Sequence, residues 1–288
     1  MRKSESLFLE IRGLRYHVRR WPRAGAPKLV LLHGWMDVSA SFQFLVDAFQ
    51  KDWDVYAPDW RGYGLTDWGK ADCYWFPDYI ADLDFLLQQI EPEPVILVGH
   101  SLGGNVATIY AGVRPPRVAR LVNLEGFGMQ ATRPEQAPKR YARWLDELSE
   151  PSELRPYESF AALADRLQKN NSRLSREKAE FLARHWGKEE GGKVLLRGDP
   201  AHKIVNPVLY RYEEIRACWS AVEAPVLWVD ADASDTLKRL GLDEGLHAER
   251  RAAFRHLEYR TVKGAGHMLH HDQPGQVAKL IDDFLSGS

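Results

Sequence analysis

The stretch Pro94-Val95-Ile96-Leu97-Val98-Gly99-His100-Ser101-Leu102-Gly103-Gly104 constrains the fold more than any other part of the chain. A continuous apolar, β-prone run reads as a strand buried on both faces, and such a strand needs helices above and below its sheet. The small and apolar residues that follow, through Ala107, Ile109 and Ala111, read as a buried helix. The turn between strand and helix has to be very tight, and only small residues around Ser101 allow it. A serine at such a tip sits in a strained backbone with its hydroxyl pushed out of the sheet. The N-terminal amides of the next helix then face whatever that hydroxyl approaches.

The flanking sequence supplies the layers this strand needs. Leu7 to Trp21 alternates in the manner of a hairpin about Gly13. Lys28–Leu32 is a buried strand that runs into His33-Gly34-Trp35, and Val55–Ala57 is a short strand that runs into Asp59-Trp60-Arg61-Gly62-Tyr63-Gly64. Ser39 is the expected cap of a helix through Phe49, and Asp78 of a helix carrying Ile80, Leu83, Leu87 and Ile90. Val118–Leu124, Val226–Val229 and Leu257–Val262 read as further strands, with helices over Glu244–Phe254 and Val277–Phe284. From Phe127 to Trp219 the chain turns polar and helix-rich, with no convincing strand. Helices are expected over Lys139–Leu148, Ser159–Lys169 and Arg176–Trp186, the last capped by Ser175 and stopped by Gly187. Gly191-Gly192 and Asp199-Pro200 read as breaks. The expected organisation is an α/β core over residues 1–126 and 220–288, with residues 127–219 inserted as a helical cap. Strands alternating with helices imply a mostly parallel sheet, in which ligands bind at the carboxyl ends of strands.

Charge and composition exclude several classes of function. The formal net charge is −1 and there is no dense block of lysine and arginine, so neither nucleic acid nor an anionic membrane is an expected partner. Cys73 and Cys218 have no metal-ligand spacing, and the adjacent pair His270-His271 is too little for a metal site, so no metal and no cofactor is expected. The first residues lack the apolar core of a signal peptide, and no apolar run is long enough to span a bilayer. A cytoplasmic location is the expectation, with a small molecule as substrate and a homodimer left open.

A serine hydroxyl becomes a useful nucleophile only when a base takes its proton and a further group orients that base. His267, in Gly264-Ala265-Gly266-His267 just past a strand, is the candidate base. With it, four motifs stand in one order: His33-Gly34-Trp35, Asp59-x-Arg61-Gly62-x-Gly64, Gly99-His100-Ser101-Leu102-Gly103 and Gly266-His267. In this the chain resembles the α/β-hydrolase fold enzymes, and most of all their capped esterase, epoxide hydrolase and haloalkane dehalogenase branch. The resemblance runs over about Leu29 to Glu125 and Pro225 to Leu285. It implies a mostly parallel eight-stranded sheet flanked by helices. It also implies an oxyanion hole made by the backbone N–H groups of Trp35 and Leu102, with His33 bracing the loop and Arg61 tied to a nearby carboxylate.

Epoxide hydrolases and dehalogenases of that branch carry aspartate at the tip, where this chain has Ser101. The chemistry expected is therefore acyl transfer: a serine hydrolase for a carboxylic ester, or a related acyl bond, of a small to medium apolar substrate. A carbon–carbon bond hydrolase would use the same residues, and a ligand-binding or sensor protein would keep the fold without the chemistry. The acid behind His267 is the open point. The resemblance asks for it after Val226–Val229, where the chain reads Asp230-Ala231-Asp232-Ala233-Ser234-Asp235. Asp235 is the first choice and Asp232 the second. Glu125, at the end of the preceding strand, competes with both. Trp68 to Phe76, with Tyr141, Trp144 and Trp186, are candidates for lining a pocket, although packing explains most of them. His202 is a candidate for the pocket mouth.

Overall fold

A computed structural model describes residues 1–150 and 153–287. Ten strands and eleven α-helices are present among them. The strands are β1 (Glu5–Ile11), β2 (Leu14–Trp21), β3 (Lys28–Leu32), β4 (Asp54–Pro58), β5 (Val95–His100), β6 (Val118–Leu124), β7 (Gly187–Glu190), β8 (Lys193–Leu196), β9 (Val226–Ala231) and β10 (Leu257–Val262). The helices are α1 (Gln43–Ala48), α2 (Phe76–Ile90), α3 (Leu102–Val113), α4 (Ala137–Ser149), α5 (Phe160–Asn170) and α6 (Arg176–Trp186), then α7 (Tyr212–Ser220), α8 (Thr236–Arg239), α9 (Glu244–Arg251), α10 (Leu269–Asp272) and α11 (Pro274–Ser286).

Eight strands form one sheet in the order β1-β2-β4-β3-β5-β6-β9-β10. The β1–β2 hairpin and the β2–β4 pairing are antiparallel, and the other pairs are parallel. The apolar runs account for this placement. Leu29 to Leu32 on β3 are fully buried, and each such side chain contributes roughly 1.5–3 kcal/mol on leaving water. One face of the sheet is covered by α2, α3 and α7 through Leu83, Leu86, Val106, Tyr110 and Trp219. The other is covered by the segment through α1, and by α11, through Phe42, Leu45, Val46, Val277 and Ile281. The central strands are thus buried on both sides, and the carboxyl ends of β3, β4, β5, β6, β9 and β10 share one rim.

Between β6 and β9 the chain leaves this sheet. Helices α5 and α6 and strand β8 make a separate apolar cluster from Leu163, Leu167, Leu182 and Val194, joined to the core by Phe44. This segment departs from expectation in two ways. Gly191 and Gly192, read as a break, are the two-residue turn of the β7–β8 hairpin, with φ of +58° and +75°. Two consecutive positive φ values suit a Gly-Gly turn. The hairpin was hidden because its strands, Gly-Lys-Glu-Glu and Lys-Val-Leu-Leu, are rich in helix-forming residues. Helix α7 crosses the boundary expected at 219/220, and its Trp219 is buried against Trp228 and Phe254 in the main core.

Two expected caps also shift. A 3-10 turn over Ser39–Phe42 precedes α1, and Ser39 lies inside it with no capping hydrogen bond. Helix α2 starts at Phe76, two residues before Asp78, because Pro77 suits its first turn. No described helix is long and apolar enough to cross a membrane.

Candidate active site

β5 ends at His100 and α3 begins at Leu102, so Ser101 alone makes the turn, with φ +52° and ψ −114°. Such a conformation costs on the order of 1–3 kcal/mol in a residue with a side chain. Its surroundings hold it. The Ser101 N–H donates to the Leu124 carbonyl at 2.9 Å, and the Ser101 carbonyl accepts from the Asn105 N–H at 2.9 Å. A Cβ on Gly103 would stand 2.0 Å from the Leu32 carbonyl oxygen, and one on Gly99 would stand 2.4 Å from that of Gly103. Backbone therefore occupies the space where side chains would go, and the helix comes down tightly on the strands.

The loop after β3 runs against the serine, since a Cβ on Gly34 would lie 3.3 Å from Ser101 Cβ. This places Trp35 and Leu102 on the two chain segments that flank Ser101. The Trp35 indole is more than half exposed and donates to the His202 carbonyl at 3.3 Å. His33 is buried beneath. Its Nε2 accepts from the Trp60 N–H, and its carbonyl accepts from the Trp60 indole, both at 2.9 Å. Burial lowers the His33 pKa to about 4, which keeps the ring neutral and fit to accept.

His267 meets the serine from the loop after β10. Its Nε2 lies 3.0 Å from Ser101 Oγ, and its Nδ1 lies 3.1 Å from Glu125 Oε2. A carboxylate only accepts, so Nδ1 carries the proton and the Nε2 lone pair faces the serine hydroxyl. The His267 carbonyl accepts from Nε2 of His100 at 2.8 Å, which fixes the loop from below.

Glu125 is 2% exposed and has φ +57°. The Asn123 side chain holds the turn that imposes this, since Oδ1 accepts from the Gly126 N–H and Nδ2 donates to the Gly126 carbonyl. Glu125 Oε1 accepts from the Ala231 N–H at 2.8 Å, and Oε2 accepts from Ser234 Oγ at 2.5 Å. The carboxylate is therefore buried with every partner supplied, which is the condition for keeping its charge away from water.

The first and second choices for the acid are not on His267. The Asp235 carbonyl starts α8 by accepting from the Arg239 N–H, and its side chain is 70% exposed and paired with Arg239 at 3.0 Å. The loop after β9 goes straight into that helix, which turns Asp235 to solvent. Asp232 Oδ1 accepts from the Gly264 N–H at 2.8 Å and so braces the loop that leads to His267. Sequence reasoning did not find Ser234 and Asn123, whose hydrogen bonds shape and hold the Glu125 carboxylate. Their signal was the polar pair flanking Glu125 in space, which no local spacing reveals.

Arg61 pairs with Asp82 through Nε at 2.5 Å and Nη2 at 2.6 Å, and with Asp78 at 3.1 Å. His202 is packed between Tyr63 and Tyr74, with ring centroids 3.7 and 3.9 Å away. Its Nε2 is 3.2 Å from the Arg61 carbonyl, so it fastens the segment between β6 and β9 to the core rather than opening onto a pocket. Of the candidate pocket aromatics, Tyr74 is buried in this stack, while Trp68, Trp75 and Tyr141 are exposed.

The family described as alpha/beta hydrolase fold matches residues 27–274. A serine hydrolase-like protein of Danio rerio is 27% identical over 272 residues, covering 92% of this chain and 82% of that one. A 3-hydroxybutyrate-oligomer hydrolase of Cupriavidus necator is 26% identical over 290 residues, covering 95% and 92%. The thioesterase domain from the curacin biosynthetic pathway superposes with a TM-score of 0.87 at 23% identity, covering 97% of this chain and 99% of that chain.

Proposed function

We propose, from the premise that this chain belongs to the alpha/beta hydrolase fold family, that it is a serine hydrolase acting on a carboxylic ester through a Ser101–His267–Glu125 relay. The observation that carries the reading is the unbroken line of contacts, 3.0 Å from Ser101 Oγ to His267 Nε2 and 3.1 Å from His267 Nδ1 to Glu125 Oε2. In this reading His267 takes the proton of Ser101 Oγ as the oxygen attacks the substrate carbonyl. Glu125 keeps the Nδ1–H tautomer and stabilises the imidazolium. The backbone N–H groups of Trp35 and Leu102 receive the oxyanion, and one such donor is typically worth on the order of 10²–10³ in rate. The imidazolium then protonates the departing alkoxide. Water, deprotonated in turn by His267, attacks the acyl-serine and releases the acid.

An uncharged acyl group of small to medium size suits the exposed Trp35 ring beside the serine. The segment between β6 and β9, fastened by His202, would then serve as the cap over the site. A fluorophosphonate probe and a panel of p-nitrophenyl esters of increasing acyl length test the reading. Native protein is expected to take one probe per chain and to hydrolyse the shorter esters, and Ser101→Ala to do neither. Oligomers of 3-hydroxybutyrate belong in the panel because a relative is named for them. Native protein as resistant to the probe as Ser101→Ala would show an unactivated serine and leave a binding protein on a hydrolase fold.

A further inference from the structure

Behind His267 runs a row of buried histidines that the relay does not use. Ring centroids step 4.9 Å from His267 to His100, 4.4 Å from His100 to His270 and 4.2 Å from His270 to His271. His270 is wholly buried, and neither ring nitrogen has a hydrogen-bond partner among the described residues. Asp37 is 2% exposed. Its Oδ1 accepts from the Val38 N–H at 2.8 Å, while Oδ2 has no partner among the described residues. His271 Nε2 lies 2.6 Å from Ser41 Oγ. Ligand atoms of Asp37, His270 and His271 all lie within 4.8 Å of one another. The pair judged too small for a metal site in sequence thus gains a carboxylate from a loop more than 230 residues away.

A buried polar atom left unpaired is destabilising, and here Asp37 Oδ2 and both ring nitrogens of His270 are gathered at one point. Two imidazoles and a carboxylate form the donor set of a borderline first-row divalent ion, typified by Zn²⁺. A narrow cleft lined by Met36, Asp37, Tyr63, Trp186 and Arg197 lies beside the carboxylate. The Lys178 ammonium is turned onto the His271 carbonyl, to which Nζ donates at 2.5 Å.

We infer that Asp37, His270 and His271 form a buried site for one divalent transition-metal ion of the Zn²⁺ class. Asp37 stands two residues after Trp35, and His270 stands three after His267. The ion therefore ties the loop that flanks Ser101 on one side to the loop that carries His267. Its role is to hold those loops together, outside the path of the acyl group.

The test uses the full chain after chelator treatment, with Co²⁺ as spectroscopic probe and Zn²⁺ as competitor. One Co²⁺ per chain is expected, with a visible ligand-field band that Zn²⁺ abolishes and a raised melting temperature. Asp37→Asn and His270→Gln should each weaken binding at least tenfold, while His267→Gln and the exposed-residue variant His256→Gln leave it unchanged. Two paramagnetically shifted imidazole N–H resonances in the Co²⁺-loaded native chain report the two histidine ligands without any variant, should a substitution fail to fold. Native protein that takes up no Co²⁺, shows no such pair of resonances, or binds equally after Asp37→Asn and His270→Gln overturns the site. So does loss of binding on His267→Gln or His256→Gln.

Discussion

Replacing Glu125 by glutamine separates the proposed relay from every arrangement that places the acid after β9. The substitution keeps shape and removes charge. The Glu125 side chain is bounded by three partners: the Ala231 N–H at 2.8 Å on Oε1, with the Ser234 hydroxyl at 2.5 Å and His267 Nδ1 at 3.1 Å on Oε2. The Ala231 N–H can only donate, so the glutamine carbonyl oxygen must stay there, and its NH₂ is forced toward His267. An amide donor there requires a bare Nδ1, which moves the proton to Nε2 and points N–H at Ser101 Oγ. The base is then in the wrong tautomer, a change that costs about 10⁴ in kcat, or roughly 5 kcal/mol of transition-state stabilisation. Hydrolysis of p-nitrophenyl butyrate and the rate of fluorophosphonate labelling both read this loss, with near-UV circular dichroism to verify folding. Asp235→Asn, at a side chain 70% exposed, should stay within about twofold of native, as surface changes do. A folded Glu125→Gln enzyme within tenfold of native, or an Asp235→Asn variant that falls further, would refute the reasoning.

Other expectations follow from the same contacts. Ser234→Ala removes one donor from the Glu125 carboxylate, so kcat should fall about tenfold with KM unchanged, by the worth of a hydrogen bond to a charged group; Ser234→Thr should restore it, and an unchanged kcat in the alanine variant would show that Ser234 does not hold the carboxylate. Gly103→Ala sets a methyl 2.0 Å from the Leu32 carbonyl oxygen and 2.8 Å from that of His33; backbone cannot yield cheaply, so urea unfolding should show a loss of about 2–4 kcal/mol. Acid should weaken the fold through its buried histidines. Burial lowers the pKa of His202 to about 3 from 6.5, so the unfolded chain binds more protons between those values, and the stability present above pH 6.5 is lost as pH falls toward 3. At pH 5 this amounts to about 2 kcal/mol for this one ring, and His202→Phe should lose correspondingly less stability than native protein between pH 7.5 and 5; an identical loss in both would disprove the assignment.

The parts of the fold legible in sequence are those written in local periodicity. The strand ranges Lys28–Leu32, Val118–Leu124 and Leu257–Val262 coincide with β3, β6 and β10: the continuous apolar run of β3 reports a strand buried on both faces, whereas β10, an edge strand with Tyr259, Arg260 and Thr261 exposed, shows only through its β-prone residues. Helix Arg176–Trp186 coincides with α6, since Ser175 Oγ accepts from the Lys178 N–H and Gly187 follows the last turn. The approach of His267 to Ser101 was legible from the small residues around both. The hairpin β7–β8 was not, because its pairing outweighs the helical preference of Lys188, Glu189 and Glu190. The partner of His267 was not either. Which of several carboxylates reaches an imidazole depends on where a loop turns after leaving the sheet, and in this loop that is decided by Asp235 entering α8.

The position of Glu125 explains how the loop after β9 came to mislead. β6 and β9 pair in parallel, with Leu124 opposite Val229, and the Glu125 N–H continues that ladder by donating to the Val229 carbonyl at 3.0 Å. The Asn123–Gly126 turn then swings the side chain across the end of β9. There the loop that was expected to carry the acid supplies donors instead: the Ala231 amide and the Ser234 hydroxyl both bind Glu125. Asp230, just beneath, completes the exchange. Burial, and next the charge of Glu125, push its pKa up to about 7, while Trp228 Nε1 and the Tyr259 hydroxyl donate to it at 2.8 and 2.9 Å. Asp230 is thereby shifted toward its neutral form by its surroundings, and of the two carboxyl groups it is Glu125 that touches His267.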